Sequence, residues 1–443
     1  MGYTRVLQMT QAEGRKRDSE TLRAGAGRRR NSRLAWLLVL AAVVAAPLWY
    51  IHIINRYLPS TKSDLLARWV GTRAALRGED PYSPQVLREI QTAYYGAPLA
   101  PGDGANPQAF LYPAPVVLLL APLAKLPWDG ARLAFLLLAA PLLGWSLWLC
   151  LKSLSLPGRG WQSAAILICC FFSWPVMWGL RVQQMTLLPV ASLVFIAWFL
   201  LTRGDAVLPG LLLAVATIKP QLVLPLLLWL FLWAGLRRRW TLAAAYAGGV
   251  AALSLATELV VPGWFGHWRA SLSHYRDATH TALSLEHVLG HWAGLTLTAL
   301  LAAASAAALW RLRRNAPELR EFGLAVSLAL ATTVCLLPTN APLIYNDVLL
   351  VPGCLVLIFS RPRGAAAAIA RALALAQVGW DFLVLWAAAG SDAVGHMPAV
   401  LALLPFQDFL LPELVTLALI LVSLKPSEVL AGRAIAEPRL AAP

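Results

Sequence analysis

Charged side chains are scarce in this sequence. Asp, Glu, Lys and Arg make up 13% of 443 residues against 59% hydrophobic ones, and the mean hydropathy is +0.63. A soluble globule carries about twice that share of charge, so the composition excludes one. Cysteine is sparse as well: Cys150, Cys169, Cys170, Cys335 and Cys354 all lie within apolar stretches. That argues against a disulfide framework or a cysteine metal site and for small core side chains. Missing altogether are a P-loop, a G-x-S-x-G elbow and a dinucleotide-binding glycine fingerprint, so no nucleotide site announces itself. Neither a repeat of solenoid period nor an inverted duplication is visible, which disfavours a repeat-built transporter.

What abounds is apolar sequence. About a dozen apolar stretches occur, most of them long enough for the roughly 20 residues that a helix needs to cross the hydrocarbon core. In lipid every backbone amide needs an internal partner, so these stretches must be helical. The expected fold class is all-α, a polytopic helical membrane protein with about 12 transmembrane helices. The formal net charge of +15 is no nucleic-acid signal, because the basic residues sit beside apolar stretches: nine in the first 33 residues, then Arg237–Arg239, Arg311–Arg314 and Arg361–Arg363. Such clusters are cytoplasmic flanks under the positive-inside rule, and no aromatic-interleaved basic surface accompanies them.

Along the chain, residues 1–33 read as a disordered basic cytoplasmic tail. Leu34–Ile54 reads as the first span, an uncleaved anchor because the apolar run continues past Trp49. The membrane domain is expected over 34–424, with extracytoplasmic loops at 55–111 and 262–290 and a cytoplasmic tail at 425–443. The first loop holds a short helix from Asp64, the turn G-E-D-P-Y (Gly78–Tyr82), an amphipathic stretch Val86–Tyr95, a Gly/Pro-rich connection and the corner F-L-Y-P-A-P (Phe110–Pro115). Six apolar segments follow before Arg237, at about 112–126, 130–151, 162–180, 184–202, 206–218 and 221–236. An odd number of crossings is required there. Either 112–126 is re-entrant, or 206–236 is one broken helix with Lys219 at mid-depth; the distribution of charge favours the first. Later spans are expected at about 241–261, 292–310, 321–341, 344–360, 371–390 and 399–424.

A few polar residues stand out against this background. In S-D-L-L-A-R-W-V-G-T (Ser63–Thr72), Leu65, Trp69, Thr72 and Leu76 recur at helical spacing and are expected against the bilayer surface, with Asp64, Arg68 and Gly71 on a stripe facing water or a cleft. Asp64 reads as a general base; the rival reading has it cap the helix and pair with Arg68. Lys219, in A-T-I-K-P-Q, is costly by location and suits a phosphate oxygen, or else reaches lipid headgroups from a helix end. Arg181, followed by Gln183 and Gln184, has no acidic neighbour in sequence and wants an anion, lipid or substrate. Five histidines lie in the second loop region; His287 and His291 have the i, i+4 spacing of a zinc pair but lack its glutamate, so no metal site is expected; scattered interfacial histidines are the favoured reading, with His280 or His287 touching substrate as the alternative. Asp347, with Tyr345, lines the same cavity or caps a late helix.

Together these features resemble glycosyltransferase family 87, in the GT-C superfamily. The resemblance rests on Asp64 soon after the first span, the Gly78–Tyr82 turn, Tyr112–Pro115, the glutamines 183 and 184, the Lys219–Pro220 break and the segment around Tyr345. It covers roughly residues 34–360 and departs in having R-V-Q-Q where a G-Q-x-N turn is expected and in lacking an asparagine before the serine of Thr281–His287. What the resemblance implies is a GT-C-type bundle in the plasma membrane, of a bacterium, with the N-terminus cytoplasmic. The implied activity is that of a hexosyltransferase: inverting transfer of a sugar, most often mannose, from a polyprenyl-phosphate donor to a glycolipid or glycan acceptor on the extracytoplasmic face. Asp64 is then the base, with Lys219, Arg181, Arg68, Gln184, Tyr82, Tyr112, His280, His287 and Tyr345 binding substrate. No cofactor is called for, a divalent metal staying open, and the partners are membrane lipids, not nucleic acid. A transporter or flippase of lipid-linked sugars is the competing class.

Overall fold

The computed structural model describes residues 62–100, 103, 105–154, 160–278, 282–315, 319–338, 344–359, 365–392 and 410–424. The expected first span, both tails, His280 and the stretch 393–409 lie outside the described residues. Within them every element is helical and no strand occurs.

The first described helix, α1 (Asp64–Leu76), starts where Ser63 caps it, its hydroxyl accepting the Leu65 N–H. Gly78, at φ +81°, releases the chain into the D-P-Y turn, and Ser83 with Pro84 starts α2 (Pro84–Tyr95), which stops at the left-handed Gly96. The corner Tyr112–Pro115 leads into α3 (Pro115–Ala124), against which α1 packs. Leu65 and Thr72 are buried inside the protein, so α1 does not rest on the bilayer as its spacing suggests. The reason is that its buried residues run nearly all round the helix: α2 and α3 enclose it. Gly71, expected toward water or a cleft, lies under the Phe110 ring.

Among the described residues three helices are long and apolar enough to cross a membrane: Trp128–Ser153, Trp240–Glu258 and His291–Arg313. Large apolar side chains project outward from the last two, among them Leu255 and Leu300, as suits a face turned to lipid. Several other expected spans are interrupted, mostly at proline, whereas Ala365–Asp392 is one continuous helix. Ala164–Phe171 and Trp174–Arg181 meet at a 50° bend before Pro175. The segment 184–202 begins as a π-helix, Thr186–Ser192, around Pro189 before continuing as Leu193–Thr202. Pro220 separates Val207–Ala216 from Pro220–Leu236, and Ile344–Leu350 is a 3-10 turn ahead of Val351–Phe359. Proline removes a backbone donor and clashes with the preceding turn, so each break frees carbonyls and re-aims the chain. Four of these irregular places, at 112, 181–186, 217–219 and 344–346, meet at one end of the bundle beside the start of α1.

Candidate active site

The site is assembled on the turn that follows Arg181. The Asp64 N–H donates to Val182 O at 2.9 Å, and the Ser63 hydroxyl donates to Val182 O at 3.1 Å and to Gln183 Oε1 at 2.5 Å. Arg181 is fully buried and donates from Nη1 to Lys62 O at 3.1 Å. These bonds clamp the first residues of α1 to a segment about 120 positions later. Gln183 holds φ at +49°, unusual for a residue with a Cβ, and so turns the chain sharply between two glutamines.

Gln184 is the junction of the polar cluster. Its Nε2 donates to Asp64 Oδ2 at 2.5 Å. Its Oε1 accepts from Lys219 Nζ at 2.8 Å and from the Tyr112 hydroxyl at 2.8 Å. Lys219 Nζ also donates to Thr186 Oγ1 at 2.8 Å, and Thr186 donates in turn to Asn346 Oδ1. Lys219 therefore faces this cluster and does not reach for headgroups. Its ammonium lies 5.4 Å from the Tyr112 ring centre and 5.3 Å from that of Tyr345. On the other face of the cluster the Arg68 guanidinium stacks 4.5 Å over the Tyr112 ring.

The rival account of Asp64 fails in both parts. Ser63 is the cap, and Arg68 bonds the main-chain carbonyl of Asp64 through Nη1, leaving the carboxylate to Gln184. Among the described residues no hydrogen bond reaches Asp64 Oδ1, and the buried Arg68 Nε finds no acceptor. The cluster thus gathers two cations, Arg68 and Lys219, around one carboxylate with an open oxygen. Like charges held this close in a poorly hydrated place call for a counter-anion.

Of the residues singled out in the sequence, Asp64, Arg68, Tyr112, Gln184, Lys219 and Tyr345 come together. Arg181 and Tyr82 stand one layer behind; the Tyr82 hydroxyl donates to Tyr112 O at 2.7 Å, and burial, with Asp80 adding, pushes its phenol above the ordinary range. His287 is exposed and takes no part in these bonds. Its i, i+4 pairing with His291 is broken by Gly290, which separates two helices, and His291 instead pairs with Glu286 at 2.6 Å. Among the described residues no three His, Cys, Asp or Glu side chains gather to hold a metal ion.

Sequence reasoning missed Thr186, Asn346, Lys62 and Tyr94. Lys62 Nζ donates to Tyr94 O at 3.1 Å and sits over the rings of Tyr94 and Tyr95. Burial pushes the Tyr94 phenol up to about 12, with the Asp64 carboxylate adding and Arg181 and Arg68 opposing. The adjacent tyrosines closing an amphipathic stretch were the available signal. The helix Trp264–Ala278 closes over the segment 80–111: Trp268 donates from its indole to Leu111 O at 3.0 Å, and His267 Nδ1 lies 3.2 Å from Asp80 Oδ2.

Fold and cluster together define a helical membrane protein with a polar, cation-rich site at one end of its bundle. The family model for glycosyltransferase family 87 matches residues 110–339, just over half of the chain, and the protein belongs to that family. The matched range contains Tyr112, Arg181, Gln184 and Lys219 and starts after Asp64, whose place in the site is given by the hydrogen bonds above. Comparisons with curated proteins and with solved structures return no match. Glycosyl transfer, not transport, is the class of activity that the family carries.

Proposed function

We propose that this glycosyltransferase moves a hexose, mannose by family resemblance, from a polyprenyl-phosphate donor to a hydroxyl of a glycolipid or glycan acceptor outside the plasma membrane. The observation that carries the reading is the convergence of one open carboxylate, Asp64, and Arg68 of the same helix with Lys219 from the break before Pro220. Asp64 Oδ1 takes the proton of the acceptor hydroxyl as its oxygen bonds the anomeric carbon from the face opposite the phosphate, inverting it. The bond from that carbon to the phosphate oxygen breaks, and the phosphate keeps the electron pair. Arg68 and Lys219 neutralise the charge that develops there, the kind of fixed electrostatic support that acts most strongly away from bulk water.

Chain parity supports an extracytoplasmic site. Tyr112 and Gln184 are hydrogen-bonded, so the three apolar segments between them make an even number of crossings. The shortest, Pro115–Ala124, is ten residues or about 15 Å long, half the hydrocarbon thickness, and fits the re-entrant role. Gln184 and Lys219 are also in contact, so 186–216 goes out and returns, and Pro220–Leu236 then makes one crossing to Arg237–Arg239. Positive-inside charge at that cluster supports placing Asp64 outside.

The test is Asp64→Asn in purified protein supplied with a polyprenyl-phosphate hexose and a glycolipid extract, following release of polyprenyl phosphate. Loss of a general base lowers turnover by about 10²–10⁴-fold, while donor binding persists. An Asn variant with near wild-type turnover would refute the assignment.

A further inference from the structure

We propose that Gln184 is a positioning residue that joins the base to the phosphate-binding lysine, and does not itself contact substrate. The inference rests on the reading of Asp64 and Lys219 given above. Gln184 is 1% exposed and its backbone is tied down, N–H to Gly179 O and O to Leu187 N–H. Both lone pairs of Oε1 are occupied, by Lys219 and Tyr112. The orientation of the amide follows from chemistry: an ammonium has three donors and no acceptor, so the NH2 group cannot face Lys219. The amide oxygen must, and Nε2 is thereby aimed at Asp64 Oδ2.

Two consequences follow. Oδ2 is committed, so the carboxylate offers Oδ1 alone to the acceptor, in a fixed plane. The cation on Oε1 also polarises the amide and strengthens its N–H as a donor to the carboxylate. Lys219 keeps a third proton after bonding Gln184 and Thr186, so a phosphate can be held without releasing the amide. Base geometry and donor site are in this way one unit, linked through a single side chain.

The Glu and Leu variants separate the two arms. Gln184→Glu keeps an oxygen for Lys219 and Tyr112 but sets a carboxylate oxygen against Asp64. The charged groups facing Asp64 are Arg68, Arg181 and Lys219, with the phenols of Tyr94, Tyr112 and Tyr345 also near. None of these changes in the variant, so the new like charge alone opposes ionisation of the base. The acidic limb of the kcat–pH profile should move up by about 1–3 units, and donor KM should rise as well, because the new carboxylate also pairs with Lys219. Gln184→Leu removes both arms and should lower kcat and raise donor KM together. A melting curve for each variant checks that the fold is kept. If Asp64→Asn is active, the base reading falls and the present inference with it. If Asp64→Asn is dead while both Gln184 variants keep wild-type kcat and pH profile, the positioning role alone is overturned.

Discussion

Replacing Lys219 by methionine separates a ligand-binding lysine from one that serves the fold. The ammonium is buried, with 9% of the residue exposed, and two of its three protons go to Gln184 Oε1 and Thr186 Oγ1. Neither acceptor is stranded by its loss: Gln184 keeps the Tyr112 hydroxyl, and Thr186 still donates to Asn346. Taking the buried charge away also removes its desolvation cost, and apolar replacement of buried ionic groups is often neutral or stabilising. Thermal stability should therefore hold or rise. Donor binding should fall, because a hydrogen bond to a charged group contributes about 1.5–3 kcal/mol, which corresponds to about 10–150-fold in Kd. Titration of a polyprenyl monophosphate into the nanodisc-embedded protein gives the first quantity and a melting curve the second. A variant that melts lower and binds the phosphate unchanged would return Lys219 to a structural role and remove the donor half of the proposed mechanism.

Gly71 is a steric test of how α1 is held. A Cβ there would lie 2.3 Å from Phe110 Cδ2, and Phe110 is itself buried edge-on against Tyr82. Gly71→Ala should cost about 1–3 kcal/mol by overpacking, visible as a lower melting temperature, and Phe110→Leu should restore it in the double variant. Acid should loosen the short helix Ser284–Leu289, since the Glu286 carboxyl is held below its ordinary range first by the Leu283 N–H and then by His291. For a depressed carboxylate the stabilisation is present above the unfolded value and lost as pH falls through the folded one. Exchange of the amides 284–289, corrected for intrinsic pH dependence, should therefore speed up on acidification, and Glu286→Gln should abolish that response.

The carboxylate and the lysine were legible because charge in apolar sequence is expensive and rarely accidental. The long apolar helices were legible for the same reason in reverse: Trp240–Glu258 and His291–Arg313 carry apolar residues on faces that the described residues leave uncovered. Thr186 and Asn346 were not, because an uncharged residue next to an apolar run carries no signal until its partner is known. The face of α1 was misread because amphipathic spacing gives the direction of the apolar side and not what covers it. Protein, not lipid, lies against Leu65 and Thr72. Proline marked the break at Pro220 in sequence, whereas 162–180 read as one segment and bends by 50° before Pro175, since whether a proline bends a helix depends on neighbours far along the chain.

The same limit explains why the turn at 181–186 drew notice only as Arg181 and a pair of glutamines. A left-handed residue with a Cβ costs of order 1–3 kcal/mol, and Gln183 adopts that state at φ +49° directly ahead of a π-helix, a form that concentrates at functional sites. Glycine at 183 would relieve the backbone but forfeit the bond from the Ser63 hydroxyl. The strained residue is retained by what it holds: Val182 O takes two donors from Ser63 and Asp64, Arg181 takes Lys62 O, and Gln183 takes Ser63. Removing the strain would not only stabilise the turn; it would loosen the segment that carries the base. The strain is therefore best understood as part of the clamp that sets Asp64 against Gln184.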